Sequence, residues 1–180
     1  MKLKTTILAA VLAAAATAQA GELVEPGFEN GELGKWAVIG QDWRVTPETN
    51  ETHAGHFAAV NDVLTENIDI YRVIYQEFKV KPGTRCEGGV WIRATDVESS
   101  ESYFEIQFWD RYGVTIKQYQ SNYVKGDQDY AYVDIPSAVA PPESVMVSVR
   151  LVVHMAEPPK KNADHHFFDD IVFTMTAPSP

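Results

Sequence analysis

The chain has 180 residues, with 25 acidic side chains against 15 basic ones and a formal net charge of −10. An acidic surface repels phosphate backbones, which argues against nucleic acid as a partner. Cys86 is the single cysteine, so no intramolecular disulfide framework can form, and stability has to come from a hydrophobic core that a chain of this size can bury.

The first residues read as an export signal. Lys2 and Lys4 form a basic start, Ile7 to Ala16 is an apolar run, and Ala18-Gln19-Ala20 is a small-x-small cleavage site. The run is shorter than the roughly 20 residues a membrane span needs. No cysteine follows it, which argues against a lipoprotein. Residues 1–20 are therefore expected to be a signal peptide and the protein to be secreted or periplasmic. Setting aside Lys2 and Lys4 leaves 13 basic against 25 acidic side chains. No second apolar segment of membrane length occurs, so no membrane span is expected in the mature chain. Residues 21–176 are expected to form one domain, and Ala177-Pro178-Ser179-Pro180 a frayed tail.

The mature chain opens on Glu25-Pro26-Gly27-Phe28-Glu29-Asn30-Gly31, with Trp36 close behind, and nears its end on Phe167-Phe168-Asp169-Asp170-Ile171. These fragments suggest that the first and last strands meet, with Glu29 and an aspartate of the Asp169-Asp170 pair sharing a hard cation. Between them, short alternating segments are separated by turn chemistry. Tyr71 to Val80 stops at Lys81-Pro82-Gly83, and Cys86 to Thr95 follows. Tyr103 to Trp109 stops at Asp110-Arg111-Tyr112-Gly113. Val114 to Tyr119 and Tyr130 to Ile135 come next. Pro141-Pro142 precedes Val145 to His154, and Phe167 to Thr174 closes the series. Strands at this spacing, without a helical period, argue for an all-β fold, an antiparallel β-sandwich.

Alternation assigns the faces. Val145, Val147, Val149, Leu151 and Val153 share the core side of their strand, with Arg150 and His154 opposite. Cys86, Gly88, Val90, Ile92 and Ala94 point inward, which leaves Trp91 and Arg93 outward. Phe104, Ile106 and Phe108 point inward, which leaves Glu105, Gln107 and Trp109 outward. Asp169 shares parity with Ile171 and Phe173 and is expected to face inward. A one-residue bulge would reverse any of these assignments.

The sequence resembles the jelly-roll carbohydrate-binding modules of the galactose-binding-like type, in particular the cellulose- and xylan-binding group. The residues that carry the likeness are Gly27-Phe28-Glu29-Asn30-Gly31 with Trp36, His53-Ala54-Gly55 with Phe57-Ala58-Ala59-Val60, and Gln76 with Phe78-Lys79-Val80-Lys81-Pro82-Gly83. Val90-Trp91-Ile92-Arg93-Ala94, Pro141 before Val145-Met146-Val147, and Phe168-Asp169-Asp170-Ile171 complete it. The chain departs from the family in placing Cys86 where an aromatic is usual and Gly88-Gly89 inside a strand. The resemblance implies a structural calcium between the first and last strands. Glu29 and Asp169 would supply carboxylates to it, and backbone carbonyls near His53 and Phe57 would complete the shell.

Outward tryptophans need a role. Trp91 and Trp109, placed on consecutive strands, are expected to stack on a sugar, with Tyr75, Glu77, Arg93, Gln107 and Arg150 on the same face as polar partners. The competing reading is that a long loop or an edge strand covers these aromatics and makes them core. Trp36 is expected in the core and Trp43 at a packed rim. Glu77 and Glu105 share the outward face, but such a pair on an acidic sheet is ordinarily solvated charge. His165 and His166, being adjacent, point opposite ways and cannot share a zinc ion. The expectation is a non-catalytic module that binds a β-linked polysaccharide or oligosaccharide, with a separate protein partner supplying any catalysis. The alternative is a structural or adhesion module that docks a protein at the cell surface.

Overall fold

The structure, a computed structural model, describes residues 22–64, 70–155, 157 and 163–178. The expected signal peptide and the last two residues of the expected tail lie outside the described residues. Eleven strands follow one another: β1 (Ala37–Ile39), β2 (Trp43–Thr46), β3 (Ala58–Val63), β4 (Tyr71–Lys79), β5 (Arg85–Thr95), β6 (Ser100–Trp109), β7 (Thr115–Gln120), β8 (Val124–Lys125), β9 (Gln128–Val139), β10 (Met146–Met155) and β11 (Asp164–Thr176). They form two antiparallel sheets. The front sheet runs β1-β4-β10-β6-β7, with β8 also paired to β6, and the back sheet runs β2-β3-β11-β5-β9. This is the β-sandwich expected from the alternation. Among the described residues no helix is long and apolar enough to cross a membrane.

The core lies between the sheets. Phe104, Ile106 and Phe108 of β6 and Val147, Val149, Leu151 and Val153 of β10 meet Val90 and Ile92 of β5 and Phe168 of β11, all fully buried. Each such side chain contributes about 1.5–3 kcal/mol relative to leaving it exposed. Cys86 sits among them, and burial pushes its thiol up to about 12, so it is an inert core residue. Trp36 is in the core against Phe28, and Trp43 packs on Phe168 at 5.7 Å. Val145, expected in the core, precedes β10 and is exposed.

A polar bridge closes one end of the core. Asp164 and His166 of β11 meet Ser100 and Ser102 of β6. The His166 ring nitrogens lie 2.8 Å from Ser100 Oγ and 2.9 Å from Ser102 Oγ, and the Ser100 hydroxyl donates to Asp164. His165 faces the other way, to Asp62 at 2.7 Å, as adjacent positions on a strand require.

Two sequence expectations change here. The opening segment is a series of turns, not a first strand. It reaches the last strand through the Ile171 N–H, which donates to Pro26 O at 3.0 Å, and it reaches β4 through Gln76, whose amide exchanges hydrogen bonds with Val24. The second change is the face of Asp169. The β11–β5 register shifts by one residue between Asp169 and Val172, and Asp170 has a φ of 49°. The bulge reverses the parity: His166 and Phe168 face the core before it, Ile171 and Phe173 after it. Asp169 pairs with Trp91 and belongs to the outer side of the back sheet. It is nonetheless fully buried, because the segment between β2 and β3 lies over it.

Candidate functional site

The outer face of the front sheet gathers polar and aromatic side chains around Arg150. Register places Tyr75 on one side of Arg150 and Glu105 on the other, with Gln120 beyond Glu105. The Arg150 Nε pairs with Glu105 Oε1 at 2.9 Å, and a terminal guanidinium nitrogen donates to Gln107 Oε1 at 2.9 Å. Its guanidinium carbon lies 5.7 Å from the centre of the Tyr75 ring. Gln107 Oε1 also accepts from Trp109 Nε1 at 2.7 Å, and Gln120 Nε2 donates to Glu105 Oε2 at 3.0 Å. The Tyr123 hydroxyl then donates to Gln120 Oε1 at 2.7 Å.

This face is concave. Tyr103, Glu105 and Val152 point outward, yet each is at most 5% exposed. They floor a depression of about 210 Å³ that Gln107, Gln118 and Gln120 also line. Larger neighbours stand around the floor. Tyr71 stacks on His154 at 4.7 Å, Tyr123 packs edge-on to Tyr103 at 4.6 Å, and Trp109 is half-buried at the far end. From Met146 to His154 the face runs about 27 Å at the rise of an antiparallel strand. Planar amides and a guanidinium held flat on a sheet, with aromatic rings beside them, can hydrogen-bond hydroxyl pairs and stack on apolar C–H faces.

The structure brings together Tyr75, Gln107, Trp109 and Arg150 as expected, with Glu77 exposed at the margin opposite Ser148. It does not bring Trp91 and Arg93 to them. β5 belongs to the back sheet and β6 to the front, so consecutive strands put Trp91 and Trp109 on opposite outer faces of the sandwich. The expectation that they share a face is corrected. Trp91 is also half-covered: the His53 ring stacks on it at 4.0 Å. Arg93 donates to Asn50 O at 2.7 Å and lies 5.2 Å over the Phe167 ring. The covering-loop reading therefore describes Trp91. Sequence reasoning missed Tyr71, Gln118, Gln120 and Tyr123. Tyr71 shares the parity of Tyr75 in β4, and Gln118 and Gln120 alternate in β7, so these three were open to it, whereas Tyr123, between β7 and β8, reaches the face only through the fold.

On the outer side of the back sheet, Glu29 and Asp169 reach the same loop. Asp169 Oδ2 accepts from the His53 and Ala54 N–H groups at 2.9 and 3.2 Å. The Glu29 carboxylate accepts from the N–H groups of His56, at 3.1 Å, and Phe57, at 3.3 Å. Gly27 brings them close: a Cβ there would lie 3.6 Å from Asp169 Oδ1, 3.7 Å from Asp170 Oδ1 and 3.8 Å from Glu29 Cγ. Burial pushes the Asp169 carboxyl up to about 6, and the neighbouring Asp170 carboxylate adds to the rise, against the backbone donors that hold it down. The Asp170 carboxylate meets His53 Nδ1 at 2.7 Å. Among the described residues no three His, Cys, Asp or Glu side chains gather as a metal cluster. The two carboxylates are oxygen donors of the kind a hard cation takes, but the loop turns backbone N–H groups toward them, so a full shell would have to draw on further backbone oxygens.

No protein-family model matches the chain, and no curated protein sequence matches it. Solved structures do. TmCBM61 in complex with β-1,4-galactotriose aligns over 84% of this chain and 95% of its own, at 20% identity and a TM-score of 0.58. A family 16 carbohydrate-binding module-2 aligns over 83% and 96%, at 16% identity and 0.59. The CBM22-2 xylan-binding domain of Paenibacillus barcinonensis Xyn10C aligns over 84% and 98%, at 13% identity and 0.59. At these identities the likeness is one of fold: the chain has the jelly-roll β-sandwich of carbohydrate-binding modules.

Proposed function

We propose that the protein is an exported, non-catalytic carbohydrate-binding module that holds a neutral β-linked polysaccharide along the outer face of the front sheet. The observation that carries this reading is the concave, outward floor in which Arg150, Glu105, Gln107 and Gln120 are locked flat between Tyr75, Trp109 and Tyr123. Because Arg150 is balanced by Glu105, the floor carries little net charge, which suits hydroxyls rather than carboxylates or sulfates. The β-linked ligands of fold neighbours, β-1,4-galactotriose and xylan, support the same class.

Hydrolysis is disfavoured by the same geometry. A glycosidase needs two carboxyl groups about 5–10 Å apart, one of them free to give a proton. Glu105 is held by Arg150 and Gln120, and Glu77 stands exposed with β10 between them.

The proposal includes a structural calcium, held by Glu29 and Asp169 with backbone carbonyls of the loop around His53 and Phe57. When bound it would neutralise the buried carboxylates and tie the opening segment to that loop and to β11.

The test is retention of the purified protein on a panel of insoluble and soluble β-linked polysaccharides, in calcium and in excess chelator. Retention on at least one neutral glycan is expected. Folded protein that binds none of them would contradict the reading and favour docking of a protein partner.

A further inference from the structure

The outer face of the back sheet carries a second aromatic surface. Across β11, β5 and β9 the register sets Asp169, Trp91 and Tyr132 in one row and Val172, Gly89 and Asp134 in the next. Gly89 lies on the outward side of β5, and its missing side chain is what Tyr132 occupies. A Cβ on Gly89 would fall 2.6 Å from the Tyr132 hydroxyl oxygen and 2.7 Å from Cζ. The phenol ring thus lies over the strand backbone, buttressed by Trp91 at 5.5 Å, and Tyr132 remains 43% exposed. Beside it runs an open groove of about 320 Å³, bounded by the exposed Val172 and edged by Glu87, Asp134 and Thr174.

We propose that this Tyr132 surface is a second glycan platform and that the domain bridges two polysaccharide chains, one on each sheet. A tyrosine laid over a glycine in a sheet offers its outer ring face for C–H stacking. Glu87, Asp134 and Thr174 offer acceptors and a hydroxyl to sugar hydroxyls. Two carboxylates at the groove repel anionic glycans, so the occupant is a neutral sugar chain. The apolar part, Tyr132 with Val172, is too small for a stable protein interface. Because the two sheets face away from each other, ligands on the two platforms do not compete. The bridging, though not the platform itself, rests on the front-face reading.

The experiment is a titration of the 15N-labelled protein with xylohexaose and with β-1,4-galactotriose, followed by amide and indole chemical shifts. At least one sugar should move two separate groups of signals, Gln107, Trp109 and Gln120 in front and Gly89, Tyr132 and Val172 behind. Tyr132→Ala should erase the second group alone. Val172→Arg, at an exposed position that leaves the Tyr132 packing intact, should do the same and should abolish cross-linking of long xylan or galactan. Shifts confined to the front face, or back-face shifts that survive both substitutions, would overturn the proposal. Back-face shifts alone would support the platform while refuting the front-face reading and the bridge. No shifts at all would refute both.

Discussion

Arg150 is the residue on which the front face turns. Its ion pair with Glu105 is largely screened from water, with side-chain exposures of 13% and 6%. Removing one partner of such a pair leaves a buried charge uncompensated, at a cost of about 3–5 kcal/mol. Arg150→Met is therefore expected to lower stability by that order in a denaturant titration, whereas Gln107→Ala, which leaves the pair intact, should lose about 1 kcal/mol. His166 gives a different signature. Burial holds its imidazole neutral and pushes its pKa down to about 4. The unfolded chain takes up the proton first, near pH 6.5. Stability from this group is complete above that pH and is lost as pH falls from about 6.5 to 4, by at most about 3 kcal/mol. His166→Gln should flatten that part of the stability–pH curve, as measured by denaturation midpoints across the range.

Among the elements, the bulge in β11 shows where the sequence could be read and where it could not. The Phe168-Asp169-Asp170-Ile171 run marked the strand and the burial of Asp169 correctly, but through the wrong face. Parity says nothing of an inserted residue, and Asp170 at φ 49° carries no glycine to announce it. The loop between β2 and β3 is the other case. His53, Ala54 and Phe57 were marked by resemblance, while the stacking of His53 on Trp91 is a tertiary contact that no local pattern encodes. Gly55 is the local requirement in this loop. It has a φ of +64°, and a Cβ there would collide with the Glu29 carboxylate. Gly55→Ala should cost about 1 kcal/mol through the backbone alone and should displace the Glu29 carboxylate. The expected outcome is a melting temperature that no longer responds to added calcium, against a clear rise for the unaltered chain in the same calorimetric comparison with chelator.

For the whole molecule, strand content and core were legible because alternation is local: β4, β5 and β10 were recovered nearly to their ends, while β6 starts earlier than expected, at Ser100 rather than Tyr103. The short strands β1, β2 and β8 were not, since two to four residues carry too little period to register. Sheet membership was hidden for a deeper reason. In a jelly roll, chain neighbours such as β5 and β6 cross from one sheet to the other, so two outward tryptophans on consecutive strands end on opposite sides. That topology divides the expected site into a front half that holds Tyr75, Gln107, Trp109 and Arg150 and a back half that holds Trp91 and Arg93. The central claim is that the front half binds the glycan. The direct measurement is isothermal titration calorimetry of Trp109→Ala and Gln107→Ala against the unaltered chain, with a polysaccharide that the protein retains. Affinity lower by about tenfold or more in each, a loss of roughly 1.4 kcal/mol, with an unchanged melting temperature for Trp109→Ala, is the predicted result. Undiminished affinity in both variants would contradict it.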